Sequence, residues 1–150
     1  MGHYGACGTT QWPFSVLDMN KFMSRLTLEL MPKKILLVED EESLAEMYKI
    51  KFEREDFEVT ILNSGSAVLE TAKNENPSII LLDIMMPKAD GLTALNKLKN
   101  EKGTSSIPVI MLTGANHELN EQLARNLGAH AYLRKPVTPR ELLDAVSKTI

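Results

Sequence analysis

The 150-residue chain has one cysteine, one tryptophan and only 5% aromatic residues. A lone Cys7 excludes an internal disulfide, and a reducing, cytoplasmic compartment is the simplest expectation. His3 stands four residues before it without further ligands nearby, so no metal site is read there. Long hydrophobic runs are missing: none approaches the ~20 residues that a bilayer-spanning helix needs. Asp18, Lys21, Arg25 and Glu29 interrupt the apolar positions near the N-terminus, and no small-residue cleavage site follows, so no secretory signal is read either. An excess of positive charge is absent too. Lys+Arg 17 against Asp+Glu 20 give a net charge of −3, whereas chains that bind nucleic acid or anionic membranes carry basic patches. Neither is expected as a direct partner.

What is there suits a globular domain. Hydrophobic residues make up 43% and charged residues 25%, and the length is enough for one real core. Residues 1–30 differ from the rest. Residues 1–11 are polar and small and are expected to be disordered. From Ser15 a weak amphipathic helix is expected, because Ser15 and Asp18 resemble a capping box and Val16, Met19, Met23, Leu26 and Leu30 follow 3-4-3-4 spacing. That helix is either a partner-binding or dimerising element or an upstream segment with no role in the fold. Met31 is an alternative start, so the expected division is an N-terminal extension, 1–30, and one domain, 31–150.

From Lys33 the pattern becomes regular. Short aliphatic runs, Ile35-Leu36-Leu37-Val38 and Ile79-Ile80-Leu81-Leu82, are too short for helices and do not alternate, as in strands covered on both faces. Residues 57–62 alternate and read as a more exposed strand. Strands are also expected at 107–112, where Pro108 near the start is tolerable, and at 129–134. Between them helices are expected at 43–54 (Leu44, Met47, Tyr48 and Phe52 inward), 66–75 (Val68, Leu69, Ala72), 92–101 (Leu92, Leu95, Leu98) and 116–126 (Leu119, Leu123, Leu127). A last one follows Thr138, with Pro139, Glu141 and inward Leu142, Leu143 and Val146. Asn76-Pro77, Pro87 with Asp90-Gly91, and Gly128 punctuate the pattern. Five strands alternating with five helices make an α/β fold with a parallel sheet and right-handed crossovers.

The strand ends carry the chemistry. The first ends in Glu39 and Asp40, the third in Asp83, the fourth in Thr113 and the fifth in Lys135. In a parallel sheet all carboxyl ends share one rim, where open α/β sheets bind their ligands. Alone, Asp83 could be a turn or helix cap, Thr113 a turn residue and Lys135 a surface lysine. Together they converge three acids, a hydroxyl and an ammonium. Carboxylates ~4 Å apart repel by about 4 kcal/mol per pair at an effective dielectric near 20. A hard divalent cation such as Mg²⁺ offsets that repulsion. A cation beside an Asp, a Lys and a Thr is what phosphoryl transfer needs.

At these residues the chain resembles the receiver domain of two-component response regulators, in the stretches ILLVEDEE, LLDIMMPKADG, VIMLTGA and GAHAYLRKP. The resemblance covers residues 31–150. It implies a (βα)5, flavodoxin-like doubly wound sheet of strand order 2-1-3-4-5. It also implies that Asp83 accepts a phosphoryl group from the phosphohistidine of a sensor histidine kinase or phosphotransfer protein, or from a small phosphodonor. Mg²⁺ would be held by Asp40 and Asp83, by Glu39 mostly through water, and by the backbone carbonyl of Met85. Thr113 and Lys135 would meet the phosphoryl group, as would the N–H of Gly114. The Lys135–Pro136 peptide would be cis. Tyr132 would follow Thr113 inward and change the face made by the fourth helix, fifth strand and fifth helix of the alternating set. That face would bind a downstream effector or output domain, or a second copy in a homodimer. Such a domain is a switch, not a turnover enzyme. It would either stand alone or be the N-terminal part of a longer DNA-binding transcriptional regulator.

Two departures inform the chemistry. Glu39 stands where many relatives have Asp, and Gly114 where alanine is frequent. Met85 and Ala115, each two residues past a site residue, offer no hydrogen bond to an attacking water, so slow hydrolysis of the acyl phosphate is expected. Rival readings fit less well. A haloacid dehalogenase-like phosphatase wants a second acid where Met85 stands. A flavin site wants a Ser/Thr/Gly-rich loop where EDEE stands. A degenerate scaffold would not keep the full set of acids, Thr and Lys.

Overall fold

The computed structural model describes residues 13–86, 91–114 and 118–150. Residues 1–11 with His3 and Cys7, the loop residues Pro87 and Asp90, and Ala115 and Asn116 lie outside these, as does the side chain of Leu119. The chain divides into two compact units, Met1–Pro32 and Lys33–Ile150.

In the first unit the helix α1 spans Val16–Leu30. Ser15 Oγ accepts from the Asp18 N–H at 3.1 Å, and Asp18 Oδ2 accepts from the Ser15 N–H at 3.1 Å, which closes the capping box. The Asp18 carboxyl is held below its ordinary value by those hydrogen bonds from Ser15. The helix has no buried residue.

The second unit is a five-stranded parallel sheet in the order β2-β1-β3-β4-β5. The strands are β1 (Lys34–Val38), β2 (Glu58–Leu62), β3 (Ile79–Asp83), β4 (Val109–Thr113) and β5 (Ala131–Arg134). The helices are α2 (Glu42–Arg54), α3 (Val68–Glu75), α4 (Gly91–Asn100), α5 (Glu118–Asn126) and α6 (Pro139–Thr149). The alternation of helix and strand, and the strand order, agree with the expectation from sequence.

The aliphatic runs supply both faces of the sheet because successive side chains point opposite ways. Leu36, Val38, Ile80, Leu82 and Met111 enter one buried cluster with Val68, Leu95 and Leu98. Ile35, Leu37, Ile79, Leu81 and Ile110 enter the other with Tyr48, Phe52, Leu142 and Val146. The sheet edges are the less buried strands β2 and β5.

Several expectations shift in detail. Strand β4 begins at Val109 and runs through Thr113, two residues later than the apolar run suggests. Pro108, which has no N–H for a ladder, stays outside it, while its carbonyl accepts from the Ile80 N–H at 3.0 Å. The turn Gly65–Ala67 is a 3-10 helix ahead of α3. Asn76 ends α3 in the left-handed region (φ 46°, ψ 61°), which Asn tolerates better than most residues. Met47 is a correction: it lies 44% exposed, because the inward stripe of α2 is Ala45, Tyr48 and Phe52. Leu123 on α5 is likewise 49% exposed, while Ala124 beside it is fully buried. In α6 the capping box forms, with Thr138 Oγ1 accepting from the Glu141 N–H at 3.1 Å and Glu141 Oε2 from the Thr138 N–H at 3.0 Å.

Candidate functional site

The site lies on the carboxyl rim of the central strands. Strand β1 sits between β2 and β3, and its in-register pairing puts Val38 beside Leu62 and Leu82. Glu39 follows directly, its N–H donating to the Leu62 carbonyl at 3.0 Å. Asp83 is the last residue of β3 and pairs with Leu112 of β4, one residue before Thr113. Thr113 pairs with Arg134, one residue before Lys135. Parallel register thus brings four sequence-distant segments to one rim.

Glu39, Asp83 and Thr113 are buried, at 1%, 3% and 1% exposure, while Asp40 is exposed. The Lys135 ammonium donates to Glu39 Oε2 at 2.7 Å and to Asp83 Oδ2 at 2.9 Å. The second oxygen of Asp83 accepts from the Met85 N–H at 3.0 Å, and Glu39 Oε1 accepts from the Glu41 N–H at 3.2 Å. Thr113 Oγ1 donates to the Gly114 carbonyl at 3.2 Å. Lys135–Pro136 is cis. Tyr132 is half-buried against the cluster that holds Met111 and Leu95.

The electrostatics are unbalanced. Burial pushes the Glu39 carboxyl up to about 7, against the opposing pull of its hydrogen bond to Lys135. Burial also pulls the Lys135 ammonium down, but hydrogen bonds to Glu39 and Asp83 outweigh it and hold the group above its ordinary value. The Lys135 ammonium bonds two carboxyl groups, those of Glu39 and Asp83. Carboxylate oxygens of Glu39, Asp40 and Asp83 all lie within 4.8 Å of one another. Three hard oxygen donors on a charge-deficient rim fit a small divalent cation such as Mg²⁺, which takes one or two carboxylates plus water and phosphate oxygens.

The structure therefore brings together Glu39, Asp40, Asp83, Thr113 and Lys135, the set expected from sequence. Met85 meets Asp83 through its N–H, and its side chain is 59% exposed. A Cβ on Gly114 would meet nothing within 4 Å, so the smaller residue is not required there by packing. Tyr48 was legible only as a core residue. Its hydroxyl donates to the Val137 carbonyl at 2.7 Å, two residues past Lys135. The available signal was that a buried phenol needs a partner for its polar tip.

A doubly wound parallel sheet with an acid–lysine rim of this kind defines a class, and comparison with known proteins places the chain within it. The profile described as "Response regulator receiver domain" matches residues 35–147. The alkaline phosphatase synthesis transcriptional regulatory protein PhoP of Bacillus subtilis is 38% identical over 112 residues, covering 75% of this chain and 46% of PhoP. The transcriptional regulatory protein SrrA of Staphylococcus aureus is 38% identical over 113 residues, with the same coverages of 75% and 46%. Among solved structures, a CheY-like receiver domain protein from Methanospirillum hungatei superposes with a TM-score of 0.73 at 32% identity, covering 78% of this chain and 92% of that one. The N-terminal receiver domain of Klebsiella pneumoniae RstA gives 0.71 at 28% identity, covering 78% and 97%. The chain belongs to the response regulator receiver family, whose members are signalling switches of two-component systems. It spans about half the length of the curated relatives it matches. Among the described residues no helix is long and apolar enough to cross a membrane.

Proposed function

We propose that this domain accepts a phosphoryl group on Asp83 from a sensor histidine kinase or phosphotransfer protein, or from a small phosphodonor. The observation that carries the reading is the placement of Lys135 Nζ 2.9 Å from Asp83 Oδ2, with Glu39 and Asp40 supplying further carboxylates within 4.8 Å. An Asp83 carboxylate oxygen attacks phosphorus in line. The P–N bond of the phosphohistidine breaks, and the imidazole nitrogen leaves with its electron pair. Glu39, Asp40, Asp83 and the Met85 carbonyl are the groups that would hold Mg²⁺, which when bound neutralises charge on the transferring oxygens. Lys135, already on Asp83, follows the new negative charge onto a phosphoryl oxygen. Thr113 turns its hydroxyl from the Gly114 carbonyl to another, and the Gly114 N–H donates to the group as well.

Tyr132 then moves into the space that Thr113 leaves, and the face made by α5, β5 and α6 changes shape. That face is the surface for a downstream effector, an output domain or a second copy. A groove of about 500 Å³ beside Lys135, walled by Leu44, Met47 and Pro136 among others, gives an incoming donor an apolar wall next to the site. The domain takes up one phosphoryl group per chain and is a switch in the cytoplasm, not a turnover enzyme. A second reading, a receiver that controls a DNA-binding transcriptional output, is favoured by relatives named as transcriptional regulatory proteins.

The test is intact mass after incubation with acetyl phosphate, with and without Mg²⁺. A Mg²⁺-dependent gain of one phosphoryl group in the native chain, absent in Asp83→Asn, is expected. Undiminished labelling of Asp83→Asn would refute Asp83 as the acceptor.

A further inference from the structure

Lys135 lies between two backbone anchors. Its own N–H donates to the Thr113 carbonyl at the end of β4. Two residues further on, the Val137 carbonyl accepts from the Tyr48 hydroxyl at 2.7 Å. Tyr48 and Val137 are both buried, at 1% and 7% exposure, in the cluster that also holds Phe52, Leu142 and Val146. The phenol is pushed above its ordinary value by burial, so it remains a proton donor. Tyr48 sits on α2, the helix that starts at Glu42, just after the acids Glu39 and Asp40. The bond therefore ties the helix that follows the acids to the segment that carries the ammonium, across 89 residues of sequence. A phenylalanine would fill the same core and make no such tie.

We propose that Tyr48 is a positioning residue for Lys135, holding residues 135–138 through the Val137 carbonyl so that the ammonium stays on Glu39 and Asp83. The inference rests on the phosphoryl-accepting role of Asp83 only for its consequence, not for its geometry. With the backbone fixed on both sides, Lys135 follows the phosphoryl group by side-chain rotation alone. Without the tie, the segment drifts from the rim. Misplacement by about 1 Å is enough to slow a transfer step markedly.

The experiment compares Tyr48→Phe and Val146→Ala with the native chain. Val146 packs in the same cluster and is no partner in the Tyr48–Val137 hydrogen bond, so its variant reports the cost of a looser core. Three quantities are read on folded protein. They are the nitrogen-15 NMR signal of the Lys135 ammonium in metal-free protein, half-saturation by Mg²⁺, and the labelling rate by acetyl phosphate at saturating Mg²⁺. In Tyr48→Phe the ammonium signal should lose its protection and the rate should fall about tenfold. Half-saturation by Mg²⁺ should not rise, because the ammonium competes with the metal for the same carboxylates. Val146→Ala should keep the native signal and rate. A protected ammonium signal that persists in Tyr48→Phe, or disappears equally in Val146→Ala, overturns the proposal, as does its absence from the native chain. If the native chain takes no phosphoryl group, the function proposed above fails, while the metal-free ammonium signal still decides the role of Tyr48.

Discussion

Gly91 is a position where one added methyl group should do harm. It opens α4, and its N–H donates to the Ile84 carbonyl at 3.2 Å. A Cβ there would overlap the Asp83 carbonyl oxygen and lie 2.7 Å from Ile84 Cα and 3.0 Å from the Asp83 carbonyl carbon. All three are backbone atoms, so no side chain can rotate away. Non-bonded contact needs ~3.5 Å or more, so the start of α4 and the end of β3 must separate by roughly 1 Å. Overpacking of this kind costs about 1–3 kcal/mol, and a rigid backbone neighbour puts it at the upper end. Alanine's better helix propensity, about 1 kcal/mol in a helix interior, offsets part of that. A net loss of about 2 kcal/mol is expected for Gly91→Ala. With a urea m-value of about 1–3 kcal/mol/M, the unfolding midpoint should fall by about 1 M. The displaced carbonyl belongs to Asp83 itself, so labelling by acetyl phosphate should drop by about 10²-fold even in protein that remains folded. Gly103→Ala is the control, since a Cβ there meets nothing within 4 Å. It should stay within about 0.5 kcal/mol of the native chain. Coincident midpoints for the two variants would refute the reasoning.

Three further outcomes can be checked. Phosphorylated Asp83 should decay over minutes or longer in Mg²⁺, because neither the Met85 side chain nor Ala115 can orient a water; loss within a few seconds by intact mass would contradict this. Thr138→Ala removes the cap of α6 and should lower stability by about 1 kcal/mol, read as a lower urea midpoint at unchanged slope. Acid should fray the start of α1. Hydrogen bonds from Ser15 depress the Asp18 carboxyl below its ordinary 3.8, so the stabilisation is present above that value and is lost as pH falls through the depressed one. Carbon-13 shifts of Val16–Met19 losing helical character over that range, and keeping it in Asp18→Asn, would show the effect.

Much of the fold and site was legible because each depends on local rules that add. Four-residue aliphatic runs at Ile35 and Ile79 are too short for helices and do not alternate, so they read as strands buried on both faces, and helical stripes between them read as parallel crossovers. Parallelism then sends every strand end to one rim. That is why Glu39, Asp40, Asp83, Thr113 and Lys135 could be grouped before any distance was known. The boundary of β4 was harder to read. Ile107 and Pro108 belong to the apolar run but lie outside β4: Pro108 has no N–H to give a ladder, and the Ile107 N–H turns back to the Thr104 carbonyl.

What the residues alone determined is the composition of the rim and the parallel alternation of strand and helix, while the strand order came from the family resemblance. Only the tertiary structure decided which side chains complete it. Spacing puts Met47 on the inward stripe of α2, whereas packing against the sheet buries Ala45 there and leaves Met47 44% exposed. Tyr48 faces inward on either stripe, but only the fold brings its hydroxyl to the Val137 carbonyl, a bond between residues 89 apart that no sequence period encodes. Gly91 is similar, since its need for glycine comes from the close passage of Asp83 and Ile84 backbone. Periodicity tells which way a side chain faces, whereas what it meets there depends on the approach of elements that are distant in the chain.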